Sequence, residues 1–248
     1  MFDATVDEGV LRLCRPETRW LSTGWDGGRS RAPAAHNVSV PEGFDRTDLA
    51  AYRDERLARA GFDSDTEDNP ESDRDAPPTL FTGVSMDHAR GARLGPVVAY
   101  ATVGLSNPAM LPAEPADATD SRKSAATTDR PEHFGTVNLI VGATRRLAPG
   151  AAANLVAVAA EAKAATLLAT AGVPGTTSDA VVVADDPGGE PAEFSGSATA
   201  VGGAARACVR DAVRASMRSR YPDGDVPGPT ADAEHGVVTD ERAEVFDP

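Results

Sequence analysis

Cysteine is nearly missing from this chain. Cys14 and Cys208 stand far apart with no C-x-x-C spacing, which excludes a disulfide framework or thiolate zinc site and suits a reducing, cytoplasmic compartment. Aromatic residues make up only 5% of the sequence, too few for a surface built to stack bases. The histidines His36, His88, His133 and His235 are scattered without metal-ligand spacing, so no protein-held metal is expected. No uninterrupted apolar run reaches the roughly eighteen residues of a membrane span. Met1-Phe2-Asp3-Ala4 lacks the basic start of a signal peptide, so neither a span nor export is expected. The sequence also has no phosphate-binding P-loop, and no G-x-G-x-x-G following a strand, which removes the usual support for nucleotide chemistry.

Lysine is equally scarce. Lys123 and Lys163 are the only two among 24 basic residues, against 38 acids and a net charge of -14. The acidity is concentrated in two places. Residues 61–76 carry Asp63, Asp65, Glu67, Asp68, Glu71, Asp73 and Asp75 against Arg74, and residues 221–248 carry eight acids against Arg242. Outside them the chain is nearly neutral. Abundant carboxylates with few lysines resemble the proteins of salt-loving organisms, and the acidity speaks to solubility more than to catalysis. It also argues against nucleic acid as a partner, because phosphates call for a basic face.

What is present reads as one α/β domain over residues 1–220, with α+β as the variant, a mixed sheet and packed helices. Residues 61–78 read as an acidic linker, 108–133 as a mobile insertion without hydrophobic periodicity, and 221–248 as an acidic disordered tail. Alternation predicts strands at Val10–Leu13, Trp20–Thr23, Val38–Val40, Leu80–Val84 and Pro96–Gly104, and a short amphipathic helix around Leu49, Tyr52 and Leu57. From Gly135 the pattern becomes strand, helix, strand. Pro149 and Gly172 bracket an alanine-rich helix, and Ala180–Ala184 is a buried strand. A shorter strand near Phe194–Thr199 and a last helix from Gly203 to Tyr221 complete the reading.

Three polar clusters interrupt that central block without being needed for a core. On a helical wheel Leu155, Ala159, Ala162, Thr166 and Ala169 form one stripe, with Lys163 at its edge and Glu161 roughly opposite. Lys163 therefore points toward the packed side, where a lysine pairs with a carboxylate or loses its proton. Asp179, at the mouth of the next strand, is the expected partner. Thr176, Thr177 and Ser178 put three hydroxyls immediately before it. Asn138 places an amide inside an otherwise apolar strand, where a missing partner costs about 1–3 kcal/mol. The turn Ser22-Thr23-Gly24-Trp25-Asp26-Gly27-Gly28 offers backbone N–H groups to an anionic or amide-bearing ligand. On the final helix Arg206, Arg210, Arg214 and Arg218 fall on one stripe, read as a solvated face.

At these clusters the chain resembles the adenosylcobinamide amidohydrolase family. The resemblance is carried by Gly135-Thr136-Val137-Asn138-Leu139-Ile140, Pro149-Gly150, Glu161-Ala162-Lys163-Ala164-Ala165 and Gly175-Thr176-Thr177-Ser178-Asp179. Leu21-Ser22-Thr23-Gly24 with Gly27, Gly28 and Asn37 is similar to the family's opening signature, and Gly104-Leu105-Ser106-Asn107 to its central loop. Two positions depart from it. A Gly-Thr-Gly-Thr-Asp pattern appears as Gly175-Thr176-Thr177-Ser178-Asp179, and a histidine expected near Gly196-Ser197-Ala198-Thr199 is replaced by Ala198, which excludes a general base there.

The resemblance implies hydrolysis of the amide joining aminopropanol to the corrin ring of adenosylcobinamide, giving adenosylcobyric acid for corrinoid salvage. Cobalt would belong to the substrate, and no further cofactor is implied. In this scheme Glu161 or the Lys163 and Asp179 pair activates water or a hydroxyl among Thr176, Thr177 and Ser178, and Asn138 with glycine-turn N–H groups holds the oxyanion. Ser22, Thr23, Gly27, Gly28, Asn37, Asn107, Thr136, Thr176 and Thr177 are the expected substrate contacts. Two alternatives remain open at the level of sequence. One is a non-catalytic corrinoid-binding protein, favoured by Ala198. The other is a self-processing hydrolase that exposes Thr136 by cleavage before it, since Gly-Thr junctions suit that chemistry.

Overall fold

The structure, a computed structural model, describes residues 2–65, 75–113, 135–227 and 236–248. Most of the acidic linker, the insertion from residue 114 onward and residues 228–235 of the tail lie outside the described residues. Eight strands form one mixed sheet: β1 (Asp3–Asp7), β2 (Val10–Ser22), β3 (Gly28–Ser39), β4 (Thr79–Thr82), β5 (Arg90–Leu94), β6 (Val97–Val103), β8 (Val137–Leu147) and β9 (Ala180–Ala192). Their order is β4-β3-β2-β9-β8-β6-β5, with β1 added beside β2. Only the β3/β4 and β8/β9 pairs are parallel. Two short strands, β7 (Ala109–Met110) and β10 (Val237–Val238), pair separately.

The two N-terminal strands expected from alternation are one continuous strand. Between Cys14 and Thr18 the register of β2 against β3 shifts, and Glu17 takes a positive φ of 57°. This irregularity lets one strand change partners: residues 10–14 pair with β1, residues 19–22 with β9. A bulged strand bends and twists, and the sheet curls. Its β3/β4 end comes over β8 and β6, so that Asn138 on β8 bonds Asn37 on β3, three places away in the ladder order.

The curl creates two apolar layers. Between the sheet and the helices α2 (Pro149–Ala171) and α3 (Ala200–Arg220), odd-numbered residues of β8 such as Leu139 and Val141 meet Leu155, Ala159, Leu167, Val209 and Val213. Between the folded halves of the sheet lie Leu13, Trp20, Leu80, Ile140 and Val182. Full burial of such a side chain contributes about 1.5–3 kcal/mol. The helix α1 (Leu49–Arg59) covers the outside of β3 through Tyr52 and Leu57.

Helix α2 starts and stops where the sequence indicates. Pro149 occupies the first turn, and Gly172 closes the last with φ 71°, a left-handed conformation that glycine adopts without a Cβ clash. By length and composition it could cross a membrane, yet half of that stretch is buried inside the fold, as in a core helix. Its alanines let α3 approach closely. The expected strand at Phe194–Thr199 is instead bends and a turn, ended by Thr199, whose Oγ1 accepts from Gly202 N at 3.0 Å to cap α3. Strands β1 and β5 carry mostly exposed residues at sheet edges, which is why the sequence shows no apolar alternation there. Two segments read as structureless also gain order, since Ala109–Met110 and Val237–Val238 form β7 and β10.

One acid of the linker is not solvated. Asp65 is 7% exposed and accepts two bonds of 2.6 Å from the Arg12 guanidinium and one of 2.9 Å from His36 Nε2. Burial pushes its carboxyl up, but the bonds from His36 and Arg12 outweigh this and hold it at about 2. His36 is fully enclosed, and burial pushes its pKa down. A neutral His36 thus donates to Asp65 and closes the segment after α1 onto β2 and β3.

Candidate active site

Three loops converge where the amino-terminal ends of β8 and β9 meet the carboxyl end of β6. In an all-parallel open sheet ligands gather at carboxyl ends. Here the mixed sheet brings both kinds of end together. Gly104 N donates to Thr136 O at 3.0 Å, Thr177 N to Asn107 O at 3.2 Å and Ala109 N to Gly175 O at 2.9 Å. The loop after β6, the entry to β8 and the turn before β9 therefore form one bonded unit.

Asp179 organises that unit. Its Oδ1 accepts from Val137 N at 2.8 Å and from the Thr176 hydroxyl, and its Oδ2 accepts from Thr176 N at 3.0 Å and from Lys163 Nζ. Lys163 reaches it from the middle of α2 and is 9% exposed, so the expected pairing is present in the fold. Asp179 has each oxygen doubly engaged, and Lys163 Nζ is bound to one of them, so the pair fixes the 175–179 turn. The packing is tight enough to require a glycine, since a Cβ on Gly175 would stand 2.5 Å from Asp179 Oδ2 and 3.0 Å from Lys163 Nζ.

Held by this turn, Ser178 meets Thr136. The two hydroxyl oxygens are 2.9 Å apart, and Ser178 Oγ donates to Gly135 O at 3.2 Å. Because Ser178 has one proton and gives it to the carbonyl, Thr136 Oγ1 is the donor of the shared bond. Both residues open onto a cleft of about 230 Å³ whose other walls include Val40, Phe44, Arg46, Leu49 and Phe81. Thr136 is buried and Ser178 exposed, so the couple joins the interior to a largely apolar cleft, where a hydroxyl can meet a substrate carbonyl.

Asn107 lies alongside. Its Nδ2 donates to Thr177 Oγ1 at 2.5 Å, while its buried Oδ1 has no partner among the described residues. That oxygen presses on Gly135, where an added Cβ would meet it at 2.4 Å and Ser106 N at 2.5 Å. Asn138 and Asn37 sit behind the cleft. Asn138 Nδ2 bonds Asn37 Oδ1 and Phe81 O, each at 3.0 Å, and Asn37 Nδ2 bonds Thr102 Oγ1 at 3.0 Å. They tie the folded halves of the sheet and position the strand bearing Phe81.

The glycine-rich turn after β2 lines a separate cleft of about 250 Å³, with Ser22, Gly27 and Gly28 beside Trp25 and Arg53. Thr23 is a lock between strands, its N and Oγ1 exchanging bonds with Val181. The two clefts flank one aromatic wall, in which Trp25 and Phe81 have ring centroids 5.8 Å apart, Phe81 and Tyr52 6.0 Å, and Tyr52 and Phe44 4.7 Å. Sequence reasoning missed Phe81, Phe44 and Arg46. One aromatic in a four-residue strand and two residues in a connecting loop carry no periodic signal.

Glu161 is not brought to the site. It is exposed on α2, with Arg206 at 3.5 Å. Among the described residues no group of three His, Cys, Asp or Glu could hold a metal ion.

A family model of adenosylcobinamide amidohydrolases matches residues 3–224. Over 250 aligned positions the chain is 53% identical to the adenosylcobinamide amidohydrolase of Halobacterium salinarum, covering all of both chains. The chain belongs to the adenosylcobinamide amidohydrolase family. Among solved structures, the L-aminopeptidase D-Ala-esterase/amidase of Ochrobactrum anthropi, described as a variant of the Ntn hydrolase fold, matches 88% of this chain and 83% of its own at 11% identity and a TM-score of 0.37, too slight a likeness to bear on chemistry. Of the family motifs, those at residues 104–107, 135–140 and 175–179 are the loops that converge here. Ala198 is exposed at the start of α3, where the neighbouring Ser195 bonds Ala151 in the first turn of α2. At about 1.5 Å per residue, some 18 Å of helix separates that turn from Lys163. No hydrogen bond of the Asp179, Lys163, Thr136 and Ser178 site involves this turn.

Proposed function

We propose that this chain hydrolyses the amide joining the aminopropanol arm to the corrin ring of adenosylcobinamide, releasing aminopropanol and leaving adenosylcobyric acid for re-entry into cobalamin synthesis in the cytoplasm. Family membership supports the substrate, and the observation that carries the chemistry is the Thr136 and Ser178 hydroxyl couple at the base of the cleft. The aromatic wall gives the flat corrin an apolar surface, and the two clefts beside it accommodate its arms. Cobalt arrives with the substrate.

In this reading Thr136 Oγ1 attacks the amide carbonyl as its proton passes toward Ser178. The carbonyl oxygen takes on charge, which backbone N–H groups of the glycine loops stabilise. Collapse expels aminopropanol, which leaves with a proton, and water then cleaves the ester on Thr136. The Lys163 and Asp179 pair holds Ser178 in place throughout. Purified protein incubated with adenosylcobinamide in concentrated salt should release aminopropanol, and the Ser178→Ala variant should release it at least tenfold more slowly. Tight corrinoid binding without release would make the protein a binder instead.

A further inference from the structure

Among the described residues the hydroxyl couple has no base. A threonine hydroxyl attacks an amide only when something takes its proton, and Ser178 can pass a proton on but not keep it. Asp179 has both oxygens engaged, Lys163 is bound to it, and Glu161 faces Arg206 elsewhere. His36 is enclosed with Asp65, and His88 meets Ser219 at 3.1 Å. Among the described residues no imidazole or uncommitted carboxylate faces Thr136 Oγ1.

The group best placed to serve is the nitrogen of Thr136 itself, at present locked in the peptide bond to Gly135. We infer that the chain cleaves its own Gly135–Thr136 bond and that the freed α-amino group of Thr136 becomes the base of the mature site. The inference rests on reading Thr136 as the attacking hydroxyl.

The structure prepares that bond for cleavage in three ways. Ser178 Oγ donates to Gly135 O at 3.2 Å, which polarises the carbonyl under attack. Position 135 admits no side chain, since Asn107 Oδ1 and Ser106 N stand 2.4 and 2.5 Å from where a Cβ would lie, so the residue on the carbonyl side of the bond is closely packed against the Asn107 loop. The buried Asn107 Oδ1, unpartnered among the described residues, is an acceptor lying beside the bond and ready for the ammonium that cleavage creates. An orphaned buried acceptor costs about 1–3 kcal/mol, and cleavage provides its donor.

The step balances without a further reagent. Thr136 Oγ1 adds to the Gly135 carbonyl carbon as its proton passes to Ser178 Oγ and the Ser178 proton passes to Gly135 O; the C–N bond then breaks, leaving the C–O ester, and the proton moves from that oxygen to the departing amine. Water then hydrolyses the ester, giving a Gly135 carboxylate and restoring the hydroxyl. A free α-amine titrates near pH 7.7–8.0, the range a general base needs.

Intact mass of the purified full chain after incubation in concentrated salt reads the outcome directly. The expected result is two fragments, residues 1–135 and 136–248, held together and summing to the chain plus one water, with Thr136 as the new N-terminus. Thr136→Ala should remain a single chain, and Thr136→Ser should still cleave. A wild-type chain that stays whole while releasing aminopropanol overturns this inference and leaves the proposed function standing. Clean cleavage without aminopropanol release does the reverse. Cleavage of Thr136→Ala at the wild-type rate, or at another bond in the wild type, also overturns the inference.

Discussion

Asp65 and Asp179 are both poorly exposed carboxylates, each bonded to a cation and to further donors, yet the two sites have different consequences. Asp65 faces Arg12 and His36 at the seam between β2, β3 and the segment after α1. Everything it touches belongs to the scaffold. Asp179 faces Lys163 and the backbone of its own turn, and the next residue back is Ser178, which opens onto the cleft. The same electrostatic device thus serves stability in one place and positioning in the other. What separates them is whether the rigid turn presents a reactive group to a cavity.

The comparison can be tested from its strongest side first. Thr136→Ala should lower turnover by on the order of 10⁴-fold, as removal of a nucleophile does, while thermal melting moves by only about 1 kcal/mol for one lost hydrogen bond. Lys163→Met should cost about 3–5 kcal/mol in denaturant unfolding, because Asp179 is left buried and unpaired, and turnover should drop at least tenfold. If turnover survives, Asp179 is a second Asp65 and the contrast fails. Asp65→Asn should show the opposite profile, losing about 3–5 kcal/mol with kcat unchanged in the remaining folded protein.

Acid sharpens the same contrast. Asp65 falls from 3.8 to about 2 on folding, so its contribution is complete above the unfolded value and is lost as pH drops through about 2, amounting to about 2 kcal/mol. His36 is lowered from 6.5, so the unfolded chain takes up its proton first and stability declines as pH falls below 6.5. Melting temperatures across that range should show both losses in wild type and a weakened acid limb in Asp65→Asn. The smallest effect belongs to Glu161→Gln, exposed at the helix surface, which should stay within about 0.5 kcal/mol in stability and twofold in rate. A tenfold loss there would return Glu161 to the site.

Much of this was legible in residue patterns, and the exceptions share a cause. The wheel position of Lys163 revealed an inward charge, and the acid before a buried strand was its nearest partner, because a buried ammonium must be paired. Pro149 and Gly172 marked α2 to within a residue. The buried amide Asn138 announced a bonded network, although its partners, Asn37 and Thr102, tie sheet halves together. Glu161 entered the candidate site through the family resemblance; the wheel had put it roughly opposite Lys163, and there it is exposed. Asp65 was hidden in a run of acids that looked uniformly solvated. The curl of the sheet depends on a bulge at Arg15 to Glu17, whose one trace in the sequence, Pro16, marks an interruption of the strand but does not say which strands it brings together. Where a conclusion required one element, the sequence supplied it; where it required two strands far apart to meet, it did not.

The pairing of β10 with β7 bears on the order in which this protein comes into being. Val237 N bonds Pro108 O and Thr239 N bonds Met110 O, each at 2.9 Å, so the loop that bears Asn107 is finished by residues near the end of the chain. A nascent polypeptide emerges from its N-terminus, and domains gain structure as they emerge. The strands and helices of the sheet are therefore all synthesised before this last stitch exists. A chain cut short before Val237 would keep its core, its hydroxyls and the loop's bonds to the 175–177 turn, but would lose the two bonds that β10 adds at Pro108 and Met110.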